Sequence, residues 1–410
     1  MAKILSRPIW ATIAVMAMSA AVTGCSSSKA VDSNTTQGGS VPGVTSSEIR
    51  LGVIADLTGP FASTGVPTVE GAEVFWKDRK VCDRSVKLIV KDTAYKTDRA
   101  KVAYSELRED VLAIQATTAT PITVVNMDGF AADNMLVIAV ASPALAGNDN
   151  ILLAGTLNDV EMMNAVSYAV SDLGVKKGDT IGAIYLDNDF GKGSLEGIRK
   201  AATTAGLTLV EQPAGPTDKD MTAQVTALKG QNVSAILVAG SAAVLNSAVT
   251  VAKGQGMNVP FVASAGAFDA SALKTSAQAG LETNTYLVAY VAPFNGDDAG
   301  PSAVRDGVEA SEAQEAPSHW LNLGYGMASI MEKTLAASCD TLTRDGLRSA
   351  VQKLGQVDTG GAIVPLDFTK RSPGVANYIL RPDASVPGGL RVLREASVGD
   401  LTKTFLGASQ

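Results

Sequence analysis

The chain has 410 residues, enough for two or three domains and a substantial core. Hydrophobic residues at 46% and charged residues at 18% exclude a disordered polymer. A net charge of −7 without a basic run argues against nucleic acid and charge-driven membrane binding, and one histidine with three cysteines leaves few ligands for a transition metal.

The N-terminus has the three parts of an export signal. "MAKILSR" supplies Lys3 and Arg7, and "PIWATIAVMAMSAAV", about 15 residues, is short for a bilayer span of roughly 20. The run ends in Val22-Thr23-Gly24-Cys25, which resembles the lipobox of bacterial lipoproteins. That resemblance implies a signal peptide over 1–24, diacylglycerol on the Cys25 sulfur, and Cys25 as the mature first residue. The alternative is an ordinary secretory signal carrying a chance cysteine. Several acyl chains, at about 0.8 kcal/mol per buried methylene, would anchor the protein stably. Residues 25–47 are rich in Ser, Thr, Gly and Asn without periodicity, and read as a flexible tether reaching roughly 25 Å. In an exported protein the remaining cysteines, Cys82 and Cys339, are expected to form a disulfide; two buried free thiols are the alternative.

From residue 49 the sequence alternates strand and helix patterns. Continuous Val/Ile/Leu runs over 49–57, 86–92, 110–116 and 135–142 predict parallel strands buried on both faces, with amphipathic stretches between them. The beat breaks at "PALAGNDNILLAGTLND", a helix follows near 158–173, and strands resume at 179–189, 207–212, 233–240, 259–266 and 285–293. Two such runs predict two doubly wound α/β lobes rather than one sheet. A long helix over 319–338, a shorter one over 343–354 and short strands in "GGAIVPLDF" and "ANYILRP" complete the chain.

In open parallel sheets, ligands bind beyond the carboxyl ends of the strands. The segments there are "TGPFASTG", "ATTATP", "SPALAG", "DNDFGKG", "AGSAA" and "SAGAFD": small, hydroxyl-bearing and glycine-rich, with almost no nucleophile–base pair. That is the composition of a binder, not an enzyme. "DNDFGKGSLEG" spells G-x-G-x-x-x-G rather than a dinucleotide fingerprint, and it lacks the distal ligands of a calcium loop. No cofactor or metal is expected. His319, ahead of the long helix, reads as a helix-start or surface residue.

"IRLGVIADLTGPFASTGVPTVEGAEVFW" resembles the opening of the branched-chain amino acid binding proteins of ABC importers, which have the type I periplasmic-binding-protein fold. "SPALA", "IYLDNDFGKGSLEGIRKAATTAG", "LVAGSAAVLNSAVTVAKGQGM" and "LGYGMA" follow in the family's order, so the resemblance covers residues 48–380. It implies two lobes joined by three crossovers near 157, 293 and 360, closing on a ligand by a hinge. Lobe 1 would comprise 48–157 plus 294–360, and lobe 2 would comprise 158–293 plus 361–410. It implies a monomeric binder, on the extracytoplasmic face, that hands a small molecule to a permease. A sensor that signals to a membrane partner would share the fold. Some actinobacterial relatives carry a cysteine pair at the corresponding positions, which implies that a Cys82–Cys339 bridge would tie two first-lobe helices together.

Carried over by position, the resemblance places ligand contacts at Phe61, Thr64, Thr117 or Thr118, Ser142, Pro143 and Ala144, Phe190, Ser241, Ala265 and Phe268, with Trp320 nearby. The threonine that helps hold an amino acid's ammonium is replaced by Ala146, and the acid that pairs with it by Ala265, leaving Asp269 as the nearest substitute. An unpaired ammonium in a dry cleft costs several kcal/mol. These replacements favour a carboxylate or neutral amide that is not zwitterionic, with an amino acid-like ligand as the alternative.

Overall fold

The computed structural model describes residues 41–310 and 316–408. The export signal, Cys25 and the tether as far as residue 40 lie outside the described residues. Residues 41–47, the end of the expected tether, are packed: Val44 bridges Ile49, and the Arg50 N–H donates to the Gly43 carbonyl at 2.7 Å.

The first sheet is built from β1 (Glu48–Ala55), β2 (Lys80–Val81), β3 (Arg84–Asp92), β4 (Ala113–Thr117), β5 (Val137–Val140) and β6 (Ile151–Ala154). Its order is β2-β3-β1-β4-β5-β6, parallel except for the β2–β3 hairpin. β6 falls where the sequence pattern breaks. Four residues, "ILLA", between Asn150 and Gly155 are too short to show a period, yet all four are buried.

The second sheet takes β7 (Thr180–Leu186), β8 (Thr208–Ala214), β9 (Ala235–Ala239), β10 (Phe261–Ser264) and β11 (Thr285–Ala289). A two-stranded ribbon, β12 (Gln356–Val357) with β13 (Leu366–Asp367), lies apart; β14 (Asn377–Pro382) and β15 (Leu390–Ser397) add antiparallel strands beyond β11. The order is β15-β14-β11-β10-β9-β7-β8. Within each sheet the parallel strands follow the same order, second-first-third-fourth-fifth. Each therefore has a switch point beside its first strand, where a crevice opens at the carboxyl ends.

Helices flank both sheets: α1 (Ala62–Trp76), α2 (Thr97–Leu107), α3 (Thr120–Val124), α4 (Met127–Ala132), α5 (Asn158–Asp172), α6 (Asp189–Ala205), α7 (Thr222–Gly230), α8 (Ala242–Gly254), α9 (Gln278–Asn284), α10 (Ala299–Glu309), α11 (His319–Ala336), α12 (Arg344–Val351) and α13 (Asp400–Ala408). Among the described residues, none is long and apolar enough to cross a membrane.

α1 and α11 meet backbone to backbone. A Cβ on Gly71 would stand 1.9 Å from the Leu321 carbonyl oxygen, and one on Gly324 would stand 1.9 Å from that of Thr68. The reciprocal contact fixes how α11 presents its first turn, which carries His319 and Trp320. Gly324→Ala should lower stability by about 1–3 kcal/mol, the usual cost of overpacking a fixed contact. An unchanged denaturant midpoint would show that the helices separate freely.

Cys82 and Cys339 are disulfide-bonded, with Cα atoms 5.2 Å apart. Cys82 occupies the turn between β2 and β3, and Cys339 a 3₁₀ turn after α11. The bridge thus joins a hairpin turn to the end of a helix rather than two helices. Because it spans a sequence separation of 257, chain entropy assigns it about 5 kcal/mol. Denatured, unreduced protein should show no free thiol, and reduction should lower the unfolding midpoint.

Candidate ligand-binding site

Each element of the cleft is positioned from the carboxyl end of a strand. After β1 the chain turns sharply, and the buried Asp56 carboxylate holds the turn by accepting from Gly59 N–H (2.6 Å) and Phe61 N–H (2.8 Å). Burial raises the Asp56 pKa against the pull of these donors. α1 then begins at Ala62, earlier than the sequence pattern suggests, because Gly65 lets it approach the Asp56 carbonyl: a Cβ there would lie 1.9 Å from that oxygen.

After β3, Ala94 and Tyr95 take left-handed φ values of 47° and 60°, a strained pair for residues with a Cβ. The turn is held by Asp92, whose carboxylate accepts from Leu57 and Ala94 N–H (both 2.9 Å) and from the Thr58 hydroxyl (2.7 Å). Burial pushes the other way, but these bonds keep the Asp92 carboxyl below the usual range. The strain places the Tyr95 ring 4.9 Å from that of Phe61, and its phenol accepts from Asn188 Nδ2 at 2.9 Å. Asn188 precedes α6 and follows β7 of the second sheet. With the Phe61–Phe190 ring contact at 6.2 Å, this hydrogen bond closes the cleft from both sides.

Between these contacts lies a small cavity of about 60 Å³. Of the residues predicted for the site, Phe61, Thr64, Thr118, Phe190, Ala265 and Trp320 line it. Others lie elsewhere. Thr117 is buried in β4, its hydroxyl accepting from Thr123 at 2.8 Å. Ser142 accepts from the Ala144 N–H, and Ala144 lines an outer groove with Asp189 and Lys192. Ser241 is buried at the start of α8. Phe268 and Asp269 line a neighbouring groove against the start of α1, where Asp269 caps its own turn by accepting from Ser271 N–H (2.8 Å).

The cavity also holds residues that sequence reasoning did not select: Tyr95, Asn158, Tyr290 and above all Glu161. Glu161 lies in the first turn of α5 and is 3% exposed; its Oε1 accepts from the Ala265 N–H at 3.0 Å. No ion pair to it occurs among the described residues. Burial pushes its carboxyl up to about 8, despite the Ala265 N–H. His319, a helix-start residue, is buried rather than at the surface. Burial lowers its pKa to about 3, against a hydrogen bond to the Ala265 backbone, and its ring lies 4.4 Å from Trp320. Tyr290, pushed up first by burial and then by Glu161, is admitted by Gly155, where a Cβ would sit 2.3 Å from the ring.

The pH dependence of stability follows. Between 4.5 and 8 the folded state binds the Glu161 proton more tightly than the unfolded chain does, so stability falls as pH rises. Between 3 and 6.5 the unfolded chain binds the His319 proton more tightly, so stability rises with pH. The two oppose each other between 4.5 and 6.5, leaving a decline from 6.5 to 8. Glu161→Gln should remove that decline in denaturant titrations; a decline of equal size in the variant would clear Glu161 of it.

The sequence profile of the periplasmic binding protein family matches residues 48–379. No curated protein matches the sequence. Among solved structures, a fatty acid ABC transporter substrate-binding protein from Thermomonospora curvata is 31% identical, with a TM-score of 0.86, covering 88% of this chain and 95% of its own. A branched-chain amino acid ABC transporter protein from Thermus thermophilus with bound valine is 18% identical, with a TM-score of 0.78, covering 88% of this chain and 99% of its own. A leucine-binding protein from Thermotoga maritima is 16% identical, with a TM-score of 0.75, covering 86% and 99%. The last two share the fold, the type I periplasmic-binding arrangement of two parallel-dominated sheets.

Proposed function

We propose, from the premise that this chain belongs to the periplasmic binding protein family, that it is the solute-binding lipoprotein of an ABC importer. It takes a small, largely apolar organic solute with a carboxylate or amide head, closes on it by a hinge and delivers it to the permease. The observation that supports this reading is the cavity at the facing strand ends. Five aromatic side chains, Phe61, Tyr95, Phe190, Tyr290 and Trp320, surround it, and Thr64, Thr118 and Thr120 supply hydroxyls. Aromatic walls with a few placed polar groups suit a small organic solute. No Lys or Arg lines it among the described residues, which fits hydrogen bonding to the head group rather than ion pairing. The solved relative at 31% identity is a fatty acid binder by name, in keeping with an apolar body bearing a carboxylate.

Cys25 supports a membrane-anchored position on the extracytoplasmic face, with the following residues as a leash.

Thermal unfolding against short monocarboxylates, aromatic acids, small amides, leucine and valine tests the solute class. A ligand at 100 times its Kd adds about 2.7 kcal/mol. A response to sugars or polyamines, with none to these compounds, would overturn it. The anchor is tested by detergent phase partitioning: the native protein should enter the detergent phase and Cys25→Ala should not.

A further inference from the structure

We infer that Glu161 is the specificity-determining residue of the cleft: it meets the solute's head group as a proton donor and selects a plain carboxylate over an α-amino acid. The inference rests on reading the cavity as the site of a small organic solute, and it names the head group that site prefers.

Glu161 is a cavity-lining acid, buried to 3% exposure and 3.0 Å from the one backbone donor it uses, with no cation beside it among the described residues. A buried carboxyl in that setting is neutral unless a ligand brings it a positive charge. The other polar atoms of the cavity decide between the two. Trp320 Nε1 and Thr64 Oγ1 are buried and have no hydrogen-bond partner. The indole N–H can only donate. The Tyr95 phenol oxygen already accepts from Asn188, so its own proton is left to give. Asn158, the nearest amide, gives its Nδ2 to the Phe190 carbonyl at 3.0 Å, while its Oδ1, 3.0 Å from where a Gly193 Cβ would stand, is a buried acceptor without a partner.

The unmet capacity around Glu161 is therefore mainly to donate, with Asn158 Oδ1 the unpartnered atom that only accepts. A carboxylate accepts from the indole and the hydroxyls, and takes the Glu161 proton as a further hydrogen bond. Two carboxyl groups then share one proton and one negative charge, the stable state for a pair that cannot both ionise. An ammonium would bring three N–H groups to a site where Asn158 Oδ1, beside α6, is the unpartnered atom that can only accept.

Few groups compete for that proton. Tyr290 faces Glu161 from the end of β11, and Tyr95 stands across the cleft. The turn after β10 presents only Ala265 and Gly266, with His319 behind them from α11. β9, "AILVA", carries no titratable side chain. Of the charged residues of α6, Asp189, Lys192, Glu196 and Arg199 line the outer groove and Lys200 lies over the Phe405 ring, and Arg371 of the chain before β14 reaches Asp159 at 3.4 Å, not Glu161.

The test uses 4-methylpentanoate and leucine, which differ only in the α-ammonium. Both are titrated calorimetrically against the full-length protein in detergent, from pH 6 to 9. We expect 4-methylpentanoate to bind at least tenfold tighter than leucine. Its affinity should hold at low pH and then weaken toward tenfold per pH unit once Glu161 ionises, the limit for one proton. Glu161→Gln keeps an acceptor for the Ala265 N–H and an N–H₂ donor, so it should bind 4-methylpentanoate with a flat pH profile. Leucine binding tighter than 4-methylpentanoate, with affinity rising as Glu161 ionises and lost in the Gln variant, would overturn the inference while leaving the solute class intact. Binding of neither compound, nor of any other small organic acid, would overturn the solute class itself and the inference with it.

Discussion

The structure depends on one constraint: two parallel sheets must be held with their carboxyl rims facing each other. Three stretches of chain pass between the sheets, and they are tied to one another rather than independent. Thr156 Oγ1 donates to the Ala376 carbonyl (2.9 Å), the Gly374 N–H to Gly155 (3.1 Å), and the Val364 N–H to Tyr290 (2.9 Å). Such a knit holds these segments together where they leave the sheets. It also places the loops after β1, β3, β4 and β5 opposite those after β7 and β10, which is where the cavity lies.

Within that frame the cleft avoids charge. Glu161 and His319, an acid and a base, both meet the backbone of Ala265: its N–H serves the carboxyl, and the imidazole makes a hydrogen bond of its own to that residue's backbone. Burial moves the acid up to about 8 and the base down to about 3, so both are neutral across the interval between. A dry cavity with neutral walls lets the charge of the solute, and not that of the protein, set the field inside it.

The strand beat was legible from continuous apolar runs, since parallel strands covered on both faces have no polar side to interrupt them. Phe61, Thr64, Thr118, Phe190 and Ala265, which the resemblance places, line one cavity because each stands in or just after the turn that follows a strand. Glu161 was not legible. In "NDVEMMNAV" it reads as an ordinary acidic first turn, a favourable place for a carboxylate near a helix N-terminus. Its burial comes from the turn after β10, 104 residues away, which no local pattern reports. Tyr95 was hidden because its placement needs two successive left-handed residues, and Tyr290 because it continues an apolar run that reads as strand.

The first turn of α5 is at once a wall of the cavity and part of the knit. Asp159 meets Arg371, the Leu157 N–H donates to Ser372 Oγ (3.2 Å), and Asn164 reaches the Val375 carbonyl (3.0 Å). Glu161 is therefore fixed to the elements of the second sheet, whereas Trp320 and Thr64 belong to α11 and α1, which pack with the first sheet. The cavity is thus lined from both sheets, and a solute that hydrogen-bonds to Glu161 and to Trp320 or Thr64 together favours the arrangement that holds the two sides against it.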